Sequence, residues 1–392
     1  MLGLYIHIPF CSAICNYCNF NRGLFDAGLK DRYVAALERE IRSSGRGEPA
    51  DTIYFGGGTP SLLEPTEIGQ VITACRESFR ITANAEITLE TNPETSSAPR
   101  MEQFRAAGVN RLSFGVQSFH DEELKRLGRI HSAQRARAAV EEARGAGFDN
   151  ISLDLMMWLP QQTLADWKTN VESLIDVGPE HASLYLLELY PNAPLKEDMA
   201  RSGWSMAPDD DAAEMYLWSL ARLDLAGYRQ YEISNVARPG LESRHNLKYW
   251  QDGEWLGFGC GAHSTRSARS EQAHSTRSAR SGQADRSCVR WKNVASTEDY
   301  ISRVAGGLPL AVETRSMSVE ERMEDALFTG LRLVEGIDVD AVSSRYGIDV
   351  WGRYWDRLQP FIDARVLCRN GSRLSLSRDG MLIANEVMQV FV

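Results

Sequence analysis

An open (β/α)6 barrel followed by a small winged-helix-like α+β domain is the fold class the sequence predicts. Three observations predict it. Short apolar β-type runs alternate with amphipathic helical stretches through the first half of the chain. Several of those helices end at a glycine directly before the next strand. Towards the C-terminus, three helical patterns precede an Asn370-Gly371 hairpin signal. Strand–helix alternation implies right-handed βαβ units and a parallel sheet. Six units suit an open barrel, with a doubly wound sheet as the alternative. In both, chemistry belongs at the C-terminal ends of the strands.

The predicted strands are 4–9, 52–55, 86–91, 111–115, 150–156 and 181–189, and helical patterns lie between them, among them 29–41, 65–79 and 133–146. Gly108, Gly147 and Gly178 sit where a left-handed cap residue closes a helix. After about residue 190 the alternation breaks. Residues 209–226 predict a long helix and 228–263 a motif-rich irregular region. The segment 262–272 then recurs as 273–283, differing only at Glu271 against Gly282. Two polar Ser/Arg-rich copies cannot bury a shared core, so a surface loop is expected, not a solenoid. Beyond 299, helices at 318–334, 338–346 and 350–364 and the hairpin at Asn370-Gly371 form the small domain. The expected division is a core barrel over 1–190, a capping region over 191–298 and the small domain over 299–392.

The chain has 392 residues, 43% hydrophobic and 24% charged, with a formal net charge of −10. That charge disfavours nucleic acid as a partner. No apolar run approaches the roughly 18–20 residues of a membrane span. The first nine residues lack a basic n-region and read as a strand, so a cytoplasmic protein is expected. Seven cysteines, three of them crowded into eight residues, suit metal or redox chemistry in a reducing compartment better than a disulfide framework.

Those three are Cys11, Cys15 and Cys18, in a C-x3-C-x2-C loop directly after the first strand. Thiolate is the soft ligand of iron–sulfur clusters, and three thiolates hold three irons of a cubane while leaving the fourth open. Structural zinc is the alternative, but it usually takes four ligands and favours C-x2-C pairs. Position and spacing resemble the radical-SAM superfamily signature. The resemblance implies a [4Fe–4S] cluster with S-adenosylmethionine (SAM) on its open iron. Next comes Gly56-Gly57-Gly58-Thr59-Pro60 after the second strand, where glycines let backbone approach a ligand closely. Polar residues follow at successive strand ends: Glu90, Gln117, Arg129 and Asp154.

Together with Tyr5-Ile6-His7-Ile8-Pro9-Phe10-Cys11, Glu90-x-Asn92-Pro93, Gly115-Val116-Gln117-Ser118-Phe119 and Leu159-Pro160, this set resembles the oxygen-independent coproporphyrinogen III oxidase family over nearly the whole chain. The resemblance implies SAM contacts from Tyr5, Gly57, Gly58, Thr59, Glu90, Gln117, Arg129 and Asp154. True oxidases of that family carry a fourth cysteine two residues after the third, where this chain has Phe20, and an N-terminal extension before the first strand. Both departures point to the family's haem-chaperone branch. They imply haem as cargo and an apo haem protein, respiratory in that branch, as acceptor. Peripheral contact with membrane-bound acceptors and a homodimer are the further partner expectations. His245, Tyr249 and Trp250 form the H-N-x-x-Y-W pattern linked to haem in that branch. An imidazole can ligate haem iron and aromatic faces can pack a porphyrin, although the same residues could simply pack on the barrel. Cys260 and His7 compete with His245 as axial ligand. Two features depart from the family: Met157-Trp158 where it shows Tyr-Gly, and the duplication. The competing function is a radical-SAM enzyme, either a decarboxylase of coproporphyrinogen III or one acting on another substrate. No catalytic residue is assigned.

Overall fold

The computed structural model describes residues 1–267 and 288–392. Six parallel strands stand side by side in chain order: β1 (Leu2–Ile8), β2 (Pro49–Gly57), β3 (Arg80–Thr91), β4 (Arg111–Gln117), β5 (Ile151–Met157) and β6 (His181–Leu186). A doubly wound sheet reverses its order at a switch point. This run has no reversal, so the singly wound open barrel is the architecture. The helices are α1 (Ala27–Ser44), α2 (Pro65–Ser78), α3 (Ala98–Ala107), α4 (Asp121–Arg126), α5 (Ala133–Gly145) and α6 (Leu164–Val177).

Period-two alternation splits each strand between two environments. Leu4, Ile6 and Ile8, Ile53 and Phe55, and Leu112 and Phe114 join one buried cluster with Tyr33 and Leu37 of α1, Val71 of α2 and Phe104 of α3. The opposite face is polar and is bonded across the barrel interior. Tyr54 donates to Glu90 (2.8 Å), Ser113 donates to Asp154 (3.5 Å), and Ser152 bonds His181 Nδ1 (2.7 Å). A one-residue slip would put carboxyls against the helices, so the register is strongly specified. Gly108 and Gly178 cap α3 and α6 with φ of 111° and 67°, as the spacing predicts.

The region expected to be irregular instead extends the sheet at both edges. β7 (Arg229–Glu232) and β8 (Asn235–Ala237) continue it beyond β6. On the other side β9 (Trp255–Phe258) pairs in parallel with β1, followed by antiparallel β10 (His263–Ser267), β11 (Cys288–Asn293) and β12 (Ala311–Met317). The start of the duplicated segment is therefore strand, paired with residues 288–292, and not loop. Residues 268–283 of the duplication lie outside the described residues.

Helix α7 (Pro194–Ser202) and the expected long helix, α8 (Asp209–Leu225), precede β7, and α9 (Arg244–Trp250) precedes β9. The C-terminal part contains helices Val319–Gly330, Val339–Tyr346 and Val350–Asp363. Strand Leu367–Asn370 pairs with Arg373–Leu376 around Gly371 (φ 63°), and Ile337–Asp338 adds a third strand. The first of these helices stops at Gly330, short of the expected 334. Arg332 and Val334 bond the backbone of Ile233 and Tyr231 instead. Arg332 also pairs with buried Glu232 (2.9 Å) and lies over the Trp250 ring at 4.4 Å, joining this part to the barrel.

Candidate functional site

Beyond Ile8 the chain forms a short strand, Phe10–Cys11, which pairs with Gly23–Leu24 and closes the cysteine loop on itself. Cys18 N–H donates to Cys15 O (3.2 Å), giving the loop a turn. Asn16 anchors it by donating to Arg126 O (2.7 Å), and Leu195 N–H donates to Asn16 O (3.0 Å). Arg22 donates to the carbonyls of Cys18 and Phe20. Cys11, Cys15 and Cys18 line one cavity of about 350 Å³.

The glycine loop forms the next wall. Gly58 and Thr59 donate their N–H groups to Ile8 O (2.8 Å) and Phe10 O (2.7 Å), locking this loop to the cysteine loop. A Cβ on Gly58 would lie 2.6 Å from Phe10 O and 3.0 Å from Cys11 Sγ, so the approach requires glycine. Gly57, at φ 117°, donates to Glu90 Oε2 (3.1 Å). Arg129 spans three elements through Asn92 Oδ1 (2.6 Å), Gly115 O (2.6 Å) and Cys15 Sγ (3.3 Å). Gln117 holds φ 68°, a costly conformation for a residue with a side chain, and such strain concentrates at ligand sites.

Seven of the eight residues implied for SAM line the cavity with the three cysteines: Gly57, Gly58, Thr59, Glu90, Gln117, Arg129 and Asp154. Tyr5 does not. It lies beneath, stacked on Tyr54 at 6.2 Å with its hydroxyl on His7 Nδ1 (3.1 Å). Sequence reasoning missed the outer wall, which includes Tyr185 and Leu186 at the end of β6 and Tyr190 beyond it, and it missed Asn92 as a partner of Arg129. Asn92 stands in the Glu90-x-Asn92-Pro93 motif and was findable there; the outer wall carries no motif.

The donor set fits a cluster. All three cysteines line one space, the arrangement that three thiolate ligands of one cubane require. Burial, ahead of the neighbouring cysteines, pushes the Cys11 and Cys18 thiols up, so loading a cluster must release protons. Arg129 places its guanidinium 3.3 Å from Cys15 Sγ.

The carboxyls behind the glycine loop are perturbed. Burial, then the charge of Asp154, pushes Glu90 up to about 7, and burial pushes Asp154 up to about 6. Both lie above their ordinary values, so the folded chain holds more protons than the unfolded one across this range. The protonated groups favour folding below about pH 4, and that contribution disappears as the pH rises through 6 to 7. Urea midpoints of the cluster-free chain should show it. Glu90→Gln is expected to remove on the order of 2 kcal/mol of stability change between about pH 5 and 7. An unchanged slope would place the burden on other groups.

His245 is 1% exposed, and both ring nitrogens are engaged, Nδ1 with Thr52 Oγ1 (2.8 Å) and Nε2 with Tyr249 OH (2.9 Å). Its ring stacks on Tyr54 at 5.0 Å, and Glu86 accepts the N–H groups of Arg244 and His245 (3.0 Å each). Helix α9 thus plugs the end of the barrel opposite the cysteine loop. Burial drives the imidazole down to about 3, keeping it neutral. His245→Ala strands two hydroxyls and is expected to cost about 2–3 kcal/mol in chemical denaturation; a loss below about 0.5 kcal/mol would contradict the plug. Of the competing ligands, His7 Nε2 bonds Asn21 O (2.8 Å), and buried Cys260 sits against Asn21 and Thr297.

Two family profiles match the chain: the Radical SAM superfamily over residues 5–174 and the HemN C-terminal domain over 317–383. Heme chaperone HemW of Bacillus subtilis (strain 168) is 34% identical over 397 residues, covering 100% of this chain and 99% of that protein. Heme chaperone HemW of Escherichia coli (strain K12) is 42% identical over 67% of this chain and 69% of its own length. Radical S-adenosyl methionine domain-containing protein 1, mitochondrial, of Bos taurus is 43% identical over 66% of this chain and 60% of its own. Among solved structures, coproporphyrinogen III oxidase (HemN) from Escherichia coli, described as a radical SAM enzyme, superposes with a TM-score of 0.83 at 21% identity. It covers 100% of this chain and 89% of that one, a likeness of fold.

Proposed function

Because the chain belongs to the heme chaperone HemW family, with the radical-SAM fold, we propose that it carries haem and delivers it to apo haem proteins. Cys11, Cys15 and Cys18 would hold a [4Fe–4S] cluster. Gly57, Gly58, Thr59, Glu90, Gln117, Arg129 and Asp154 would surround SAM, with Tyr5 supporting that layer from below. A cluster bound by these cysteines would supply an open iron for SAM and an electron to it. The chain's own contribution is orientation. Arg129 fixes the ends of β3 and β4 against the cysteine loop, and Glu90 pins the Gly57 amide, so the ligand meets a wall already in place.

The observation that carries the chaperone reading over a decarboxylase is Phe20. It stands in the cavity wall, 65% exposed, at the place where true oxidases carry their fourth cysteine. The acceptor is a haem protein lacking its haem. No described helix is long and apolar enough to cross a membrane. The test is an anaerobic haem titration of the cluster-reconstituted chain followed by Soret absorbance. Saturation at one haem per chain is expected. A non-saturating response, or SAM-dependent formation of protoporphyrinogen from coproporphyrinogen III, would overturn the reading. Helix α9, with His245, Tyr249 and Trp250, serves the barrel floor in this arrangement, and His245 could meet an iron only if the helix left it.

A further inference from the structure

We propose that haem lies across the mouth of the cysteine-lined cavity, on an apolar rim formed by Phe20, Tyr185, Leu186 and Tyr190, with Arg22 facing a propionate. This rests on the haem-carrying reading and adds the place. Those four side chains are 65%, 41%, 47% and 38% exposed, and all line the cavity. They come from two separate segments, the end of the cysteine loop and the end of β6 with the chain just beyond it, so the fold brings them together. Folded chains rarely leave several large apolar side chains exposed around one opening unless something covers them. A porphyrin presents the flat apolar face that aromatic rings cover well. At about 350 Å³ the cavity is at the small end for ligand sites and is already lined for SAM, so a macrocycle fits across the mouth and not within.

Charge supports the same occupant. Arg22 lines the cavity, and its terminal nitrogens hold only the carbonyls of Cys18 and Phe20. Among the described residues, no carboxylate pairs with its guanidinium. A propionate supplies the missing anion. The barrel floor offers no comparable place, because His245 is enclosed and both its nitrogens are bonded.

The experiment compares haemin titrations of the full, cluster-reconstituted chain in three forms: wild type, Phe20→Glu with Leu186→Glu, and Leu225→Glu. Leu225 is 84% exposed at the end of α8 and serves as a control for adding charge. The double variant is expected to bind haem at least tenfold more weakly, with Leu225→Glu unchanged. Equal affinity in all three would overturn the rim as the site, whereas a wild type that never saturates would remove the haem-carrying reading itself. A second measurement does not depend on the variants folding. Saturating haem should slow chelator extraction of cluster iron from the wild type several-fold, because a molecule over the mouth blocks the route. An unchanged rate, with haem bound, would put the haem elsewhere.

Discussion

Replacing any one of Cys11, Cys15 or Cys18 by alanine is expected to lower the iron retained after anaerobic reconstitution at least about tenfold. The physical reason is that, among the described residues, the cavity has no fourth thiol to substitute. Cys75, Cys260 and Cys288 are buried elsewhere, and Cys368 lies in the C-terminal hairpin. Cys75 packs within α2 among aliphatic side chains, where burial pushes its thiol up to about 12, so it remains an inert protonated group. Cys75→Ala and Cys368→Ala should therefore retain full iron. The readouts are iron per chain and the visible charge-transfer absorption. Full iron in a single variant of the triad would mean that the cluster sits on other ligands.

Arg129→Met is expected to weaken SAM binding to the reconstituted chain by about 10- to 100-fold, the range typical of lost supporting contacts around a metal site. Arg129 carries three contacts at once: two forked bonds to Asn92 Oδ1 and Gly115 O, and one to Cys15 Sγ. Methionine fills much of the volume but leaves two acceptors unmet and removes the charge beside Cys15. Arg129→Lys keeps the charge and cannot fork, so it should fall between wild type and Arg129→Met. If lysine restored wild-type affinity, the charge alone would matter and the tie between β3 and β4 would be irrelevant. Isothermal titration with SAM, alongside iron content, separates loss of ligand from loss of cluster.

The core of the fold was legible because its physics is local. Apolar side chains at alternate positions of β1, β2 and β4 must face helices, and Gly108 and Gly178 had to sit where φ is positive. The inner rim of the site was legible because cysteine, glycine and buried charge are costly to place without purpose. Strands β7 to β9 were not, since each spans only three or four residues, too few for alternation to register. Nor was the location of His245. A histidine on a short helix looks the same in sequence whether it meets a metal or a threonine, and only the packing of α9 on Thr52 and Tyr54 decides. Tyr185 and Leu186 escaped because they close an ordinary apolar strand, and only exposure marks them.

The pairing of β9 with β1 fixes an order of events during synthesis. Gly3 to Ile6 lie against Trp255 to Phe258, so one side of β1 waits for residues made about 250 positions later. At about 5–20 residues per second, that wait is roughly 12–50 s. Throughout it, the strand preceding the cysteine loop presents an open backbone edge to any other nascent chain, the geometry that seeds aggregation. Yield in a heterologous host should therefore follow elongation speed and holdase supply more closely than iron supply, because the edge must be sheltered before there is a finished barrel for a cluster to enter.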